Sequence, residues 1–205
     1  MKTVIVGLGR HAHVLRSRLY LRNVVMGDPN DLDSIEQWKS RGRFLVGVGV
    51  GRNGDTRFRS DIWFAMLKRG WEPWRYVDTT ALHGEISSTI GAGSQLLPNA
   101  FVGNEATIGA NVIVNTGAIV EHDCEIHDHV FIGPGAVICG GCKVGEGAFI
   151  GAGSVLLPET QVSVETVIGA GAVCPGKVYH STKEAFVGSP ARLVSRWKRI
   201  RAVFK

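Results

Sequence analysis

The sequence predicts an α/β domain followed by a parallel β-solenoid and a C-terminal helix. Three observations carry that reading. From Ile90 to Ile168 every sixth residue is aliphatic, fourteen in succession without a slip. The residue four places after each of them is Ser, Ala, Val, Cys or Thr throughout, from Ser94 to Ala172. The first 80 residues instead alternate short apolar runs with helix-like stretches. Neither a helix nor a plain strand has a six-residue period. A fixed short repeat with one large and one small inward residue describes a coil that buries its face by stacking turn on turn. The 27 glycines fit tight corners in such a coil, and the absence of a Gly-X-Y period excludes collagen.

Along the chain, Thr3–Val6 predicts a strand running into Gly7-Leu8-Gly9-Arg10-His11-Ala12, then a helix over Val14–Leu21. A second strand, Asn23–Met26, ends at Asp28. A helix around Leu32–Lys39 and a third strand at Phe44–Gly51 follow. A helix over Asp61–Arg69 leads to a fourth strand in Trp74–Thr80. This alternation reads as a small parallel α/β domain over residues 1–82. The coil takes 83–178. Residues 179–205 form a cap in which Val194, Trp197, Ile200 and Phe204 fall at helical spacing, as the open end of a solenoid requires.

Charged residues at 20% and hydrophobic residues at 44% describe a globular protein. No apolar run approaches the ~18 residues of a membrane span. Arg10 and His11 come too early for a signal peptide, so a cytoplasmic protein is expected. In that setting Cys124, Cys139, Cys142 and Cys174 are expected as reduced thiols. The net charge is +5, and the last ten residues hold five Lys and Arg and no acid. This tail reads as a solvated capping helix, with contact to a membrane surface the lesser alternative. No aromatic and basic interleaving points to nucleic acid.

Two segments carry chemistry. Gly7-Leu8-Gly9-Arg10-His11-Ala12, with Asp28 at the end of the next strand, fits the G-x-G-x-x-A fingerprint of a Rossmann-like domain. The glycines let backbone approach a phosphate at the helix N-terminus. A plain tight turn is the alternative, and the remaining length leaves no room for a nicotinamide-type catalytic domain. In the coil, Glu121, His122 and Asp123 stand where the repeat usually has glycine or small residues. His122 lies two residues after inward Val120 and so points outward. A carboxylate from Asp123 or Glu121 orients the imidazole and raises its basicity, as a general base near neutral pH needs. No Ser or Cys nucleophile accompanies it, which favours direct attack by a substrate amine or hydroxyl.

The repeat resembles that of the hexapeptide-repeat acyltransferases, whose fold is a left-handed parallel β-helix with three hexapeptides per turn. That resemblance stacks residues 18 apart, about 4.8 Å from one another. Gly140 and Gly141 then lie one turn above His122 and Asp123, as a wall of bare backbone with N–H donors. Cys124 and Cys142 stack inside the coil, which explains Cys139–Cys142 as part of one rung rather than a redox or zinc pair. Gamma-class carbonic anhydrases share the coil and bind zinc through two His five apart, like His122 and His127. Their third His would fall at Ile86, and His83 is out of register, so no metal is expected.

Both halves together resemble bacterial acetyltransferases that modify nucleotide-linked amino sugars, or sialic acid, with acetyl-CoA. The resemblance rests on VIVGLGRHAHV, NTGAIVEHDCEIHDHVFIGPGAVICGG, GAFIGAGSVLLP and VGSPAR. It implies that His122 is the catalytic base, Asp123 the acid that increases its basicity, and Asn115 a neighbour of the acetyl or amine group. It places acetyl-CoA between two subunits of a homotrimer, near Gly140, Gly141, Ala152 and Ala170. It gives the nucleotide-sugar, expected to be a 4-amino-4,6-dideoxy sugar, to Gly9, Arg10, His11, Asp28 and Gly51. Two departures stand out. Phe131 occupies the place of a family His that contacts acetyl-CoA, and Arg10 that of a small residue. O-acetylation of sialic acid or a related hydroxyl, and a non-catalytic nucleotide-binding trimeric scaffold, are the competing readings.

Overall fold

The structure, a computed structural model, describes residues 3–7, 10–18, 24–28, 42–47, 56–84, 88–180 and 185–194. The N-terminal part is a parallel sheet. Strand β1 (Thr3–Val6) is followed by helix α1 (Arg10–Arg18), strand β2 (Val24–Gly27), strand β3 (Arg43–Val46), helix α2 (Arg57–Lys68) and strand β4 (Glu72–Pro73). The strand order is β2-β1-β3-β4. Val4, Val6, Phe44 and Val46 pack on Ile62, Trp63 and Met66 of α2. On the other face Ile5 and Leu45 join Ala12 and Leu15 of α1. The predicted helix at Leu32–Lys39 and the end of the third strand, 48–51, lie outside the described residues.

The coil consists of three sheets, two of six parallel strands and one of eight whose last strand runs antiparallel. Each rung is a two-residue strand, and rungs 18 residues apart pair in register, as Ile119–Val120 does with Val137–Ile138. The inward series of the sequence, Leu96 through Ile168, fills the core with the small residues between them. Burying each large aliphatic contributes roughly 1.5–3 kcal/mol, which offsets the backbone order of so many corners.

The coil begins earlier than position 83. Tyr76–Val77 pairs with Gln95–Leu96, and Leu82–His83 with Phe101–Val102. The predicted fourth strand of the α/β sheet therefore belongs to the coil, and Glu72–Pro73 takes its place beside β3. A proline is tolerated there because the strand is an edge. At the other end Val194 closes an antiparallel strand, Arg192–Val194, paired with Ala185–Val187, while Trp197, Ile200 and Phe204 of the expected helix lie outside the described residues. The basic tail, 195–205, lies outside the described residues.

Helix α2 runs along one corner of the coil. The residues of that corner, Gly93, Asn111, His129 and Gly147, are 18 apart. Trp63 sits over Gly93. Arg59 donates to the carbonyls of Asn111, His129 and Val130, and Thr56 Oγ1 donates to Gly147 O at 2.8 Å. The helix pitch of ~5.4 Å is close to the rung spacing of ~4.8 Å, so residues 63, 59 and 56 meet successive rungs. Arg59 is 1% exposed. Burial pushes its pKa down to about 9, yet at neutral pH the cation persists, held by carbonyl oxygens.

Candidate active site

Where the rung Ile119–Val120 ends, Val120 and Cys124 are buried inside the coil, and His122 and Asp123 project outward with side chains 65% and 62% exposed. Asp123 adopts φ +58, a left-handed conformation that Asp accepts more readily than most residues. Its backbone N–H donates to Asn104 O on the rung below at 3.1 Å. The His122 carbonyl accepts from Gly141 N–H on the rung above at 3.0 Å. The pair is thus fixed to the coil from both sides.

His122 Nδ1 is 2.6 Å from Asp123 Oδ2. The carboxylate only accepts, so Nδ1 carries a proton, and in the neutral ring Nε2 holds the lone pair. The hydrogen bond to Asp123, with the charges of Asp123 and Glu121 behind it, holds the imidazole pKa above the ordinary histidine range. The ring lies against the bare backbone of Gly140. A Cβ there would stand 2.6 Å from His122 Cε1 and 2.7 Å from Nε2. The glycine wall is therefore a steric requirement of the imidazole itself. Gly141 plays a different part from Gly140, since its N–H is committed to the His122 carbonyl. Among the described residues the Gly140 N–H meets no backbone carbonyl.

Other expected site residues lie elsewhere in the single chain. Asn115 precedes the rung Ile119–Val120, at the opposite edge of the same face, and its Oδ1 accepts from Thr116 N–H at 2.8 Å. Ala152 and Ala170 are exposed on that same edge. Between the two edges runs a half-buried apolar column of Phe101, Ile119, Val137, Val155 and Val173. Phe131 is buried under the N-terminal sheet, stacked on Phe149 with centroids 5.3 Å apart and 7° between planes. It is part of the contact between sheet and coil rather than a neighbour of His122. An aromatic ring suits that apolar contact.

In the N-terminal part, β1 runs through Gly7 toward α1, the strand–loop–helix order that the fingerprint requires. Gly7, at φ +147, approaches Gly47 so closely that a Cβ would lie 2.8 Å from the Gly47 carbonyl carbon. His11 is half-buried in the first turn of α1, and Asp28 follows β2. Gly9, Gly51 and the Arg10 side chain lie outside the described residues. Sequence reading missed Gln95, whose side chain bonds to His11 at 2.8 Å. It also missed Arg59. The four cysteines are free. Among the described residues no group of three His, Cys, Asp or Glu could hold a metal ion.

The chain is thus a three-sided coil of stacked hexapeptides with a His–Asp pair at one corner. The family model for bacterial transferase hexapeptide (six repeats) matches residues 123–158. A mutant perosamine N-acetyltransferase from Caulobacter crescentus, solved in complex with CoA and GDP-perosamine, superposes with a TM-score of 0.83 at 26% identity, covering 95% of this chain and 97% of that one. The acetyltransferase domain of PglB from Neisseria gonorrhoeae, in complex with acetyl coenzyme A, matches with a TM-score of 0.81 at 27% identity, covering 94% and 98%. WeeI from Acinetobacter baumannii shares the fold at 22% identity and a TM-score of 0.79, covering 95% and 100%. No curated protein sequence matches. The chain is similar to bacterial hexapeptide-repeat sugar acetyltransferases and is an acyltransferase.

Proposed function

We infer that the protein is an acetyl-CoA-dependent N-acetyltransferase acting on the amino group of a nucleotide-linked amino sugar, with His122 as the general base. The observation that carries this reading is the His122–Asp123 pair laid against Gly140. The substrate amine attacks the thioester carbonyl while His122 Nε2 takes the amine proton. The Gly140 N–H donates to the oxygen on which negative charge develops, a kind of contact worth about 2.7–4 kcal/mol where one such donor has been removed. The C–S bond then breaks, and the proton held by His122 passes to the departing thiolate. The wider reading gives acetyl-CoA to the groove beside Gly140, Ala152 and Ala170. It gives the nucleotide-sugar to the Rossmann-like N-terminal part that precedes the coil strand Tyr76–Val77, through Gly9, Arg10, His11, Asp28 and Gly51. Solved relatives complexed with CoA and GDP-perosamine, or with acetyl coenzyme A, support the pairing of the two ligands.

A homotrimer fits the distribution of surface. One outward face of the coil is covered by the chain's own N-terminal sheet. A second is polar, with Thr107, Glu125, Lys143 and Gln161 exposed and Lys143 paired to Glu125 at 2.7 Å. The third is the apolar column from Phe101 to Val173, ending at Leu82, which is 67% exposed. Covering this face with a second copy in a closed ring would bring the Asn115 edge of one subunit to the His122 edge of the next. It would also shelter a base that stands exposed in the single chain. The proposed setting is the cytoplasm, and no described helix is long and apolar enough to cross a membrane.

Free-thiol release from acetyl-CoA tests the reading. The acceptors are UDP-, dTDP- and GDP-linked 4-amino-4,6-dideoxy sugars and free sialic acid. Release with one amino sugar, giving a product whose acetyl group survives mild alkali, is expected. Release with sialic acid alone, giving an alkali-labile ester, would show O-acetylation instead. Acetyl-CoA bound without release on any acceptor would overturn the substrate class, and no binding at all would leave a scaffold.

A further inference from the structure

Gln95 lies on the coil face that carries the N-terminal sheet, in one column with Ile113, Phe131 and Phe149. It is fully buried, and those neighbours are apolar. A primary amide in such a place is costly unless both ends find partners. Both do. Gln95 Nε2 donates to Val46 O at 2.9 Å, and Gln95 Oε1 stands 2.8 Å from His11 Nε2.

Its partners define a place in the sheet. Val46 ends β3, and His11 lies in the first turn of α1, the element that follows β1 in the chain. With the order β2-β1-β3-β4, the chain reverses direction across the sheet between β1 and β3. Open parallel sheets bind ligands at the carboxyl ends of their strands at that point. Gly47, next after Val46, donates its N–H to Val6 O at 2.9 Å and packs so tightly on α1 that a Cβ would lie 2.8 Å from Ala12 Cβ. The ends of β1, β3 and the start of α1 are therefore held as one unit, and Gln95 is the coil side chain that reaches into it.

The chemistry of the amide fixes the state of His11. A carbonyl only accepts, so the NH2 of Gln95 faces Val46 and its oxygen faces His11. His11 Nε2 must then donate, which leaves Nδ1 with a lone pair and no partner among the described residues. Burial and the nearby Arg59 cation oppose a charge on the ring and outweigh the contrary pull of the Gln95 oxygen.

We propose that Gln95 is a positioning residue for the nucleotide-linked substrate: it holds His11 as the neutral Nε2–H tautomer and so presents Nδ1 to the crevice as a hydrogen-bond acceptor. A ligand hydroxyl or amine is favoured at that point over a phosphate oxygen. The role of His11 toward substrate rests on the proposed function, whereas its tautomer does not.

Long-range 1H–15N spectra of the full-length protein test the proposal, with the His11 signals assigned by their loss in His11→Asn. The expected result is a neutral Nε2–H ring near neutral pH, and loss of that signature in Gln95→Met. With whichever acceptor of the panel the wild type uses, Gln95→Met raises the nucleotide-sugar KM about tenfold, the effect of one buried hydrogen bond. Both kcat and the acetyl-CoA KM stay within about twofold, which separates positioning from general damage to the fold. Gln95→Glu sets a carboxylate against His11 and makes the nucleotide-sugar KM vary with pH as the ring charges. An Nδ1–H ring or an imidazolium in the wild type would overturn the proposal, as would an unchanged KM in folded Gln95→Met. If the wild type acetylates no acceptor, the proposed function fails, and the wild-type spectrum alone still decides whether Gln95 sets the tautomer.

Discussion

His122→Ala lowers turnover by about a hundred- to ten-thousand-fold, the range that a positioned general base contributes. The loss falls on kcat, because the imidazole acts on the amine proton and contributes little to holding either substrate. Size-exclusion chromatography and circular dichroism are expected to match the wild type, since the His122 side chain is exposed and meets the surface groups Asp123 and Gly140. Turnover equal to the wild type would remove His122 from the chemistry.

Gly140→Ala is expected to cost about a hundredfold in kcat, although it adds one methyl group to a surface turn. The new Cβ would lie 2.6–2.7 Å from His122 Cε1 and Nε2, so the ring must swing away. Displacement of a catalytic group by about 1 Å costs rates of this order. The backbone is not the obstacle: Gly140, unlike Gly141 at φ +71, needs no left-handed conformation. The effect is therefore steric and local, and thermal stability should change little. Turnover measured beside the unfolding temperature separates the two. A variant with wild-type turnover would mean that the ring works from another position.

The coil was legible in the sequence because each six-residue unit makes one of its sides. Three units per turn, which the family resemblance implied, turn an offset of 18 into contact, and so His122, Asp123 and Gly140 could be brought together. The reading stopped where the phase slipped. Tyr76 pairs with Gln95 at an offset of 19, and Val162 with Tyr179 at 17, so the rungs at both ends fell outside the series. The division of labour between Gly140 and Gly141 was not legible either, since it depends on which N–H the rung below consumes. Contacts between the two parts carry no period. His11 and Gln95 are 84 residues apart, Arg59 and Asn111 are 52 apart, and nothing in local pattern links them. Phe131 shows the same limit, because an outward position on a coil says nothing of which face another part of the chain will cover. At the C-terminus the helical spacing did not show that Val194 itself pairs as a strand with Ala185–Val187.

The central claim is that Asp123 tunes His122 as the base, and the pH dependence of kcat/KM measures it most directly. His122 must be neutral to accept a proton, and its hydrogen bond to Asp123 raises its pKa above the ordinary value. Activity therefore rises with pH along a limb that lies above the usual histidine range. Asp123→Asn removes the charge and is expected to move that limb toward lower pH while lowering the plateau, because a weaker and less well oriented base remains. A limb that stays in place in Asp123→Asn would contradict the account.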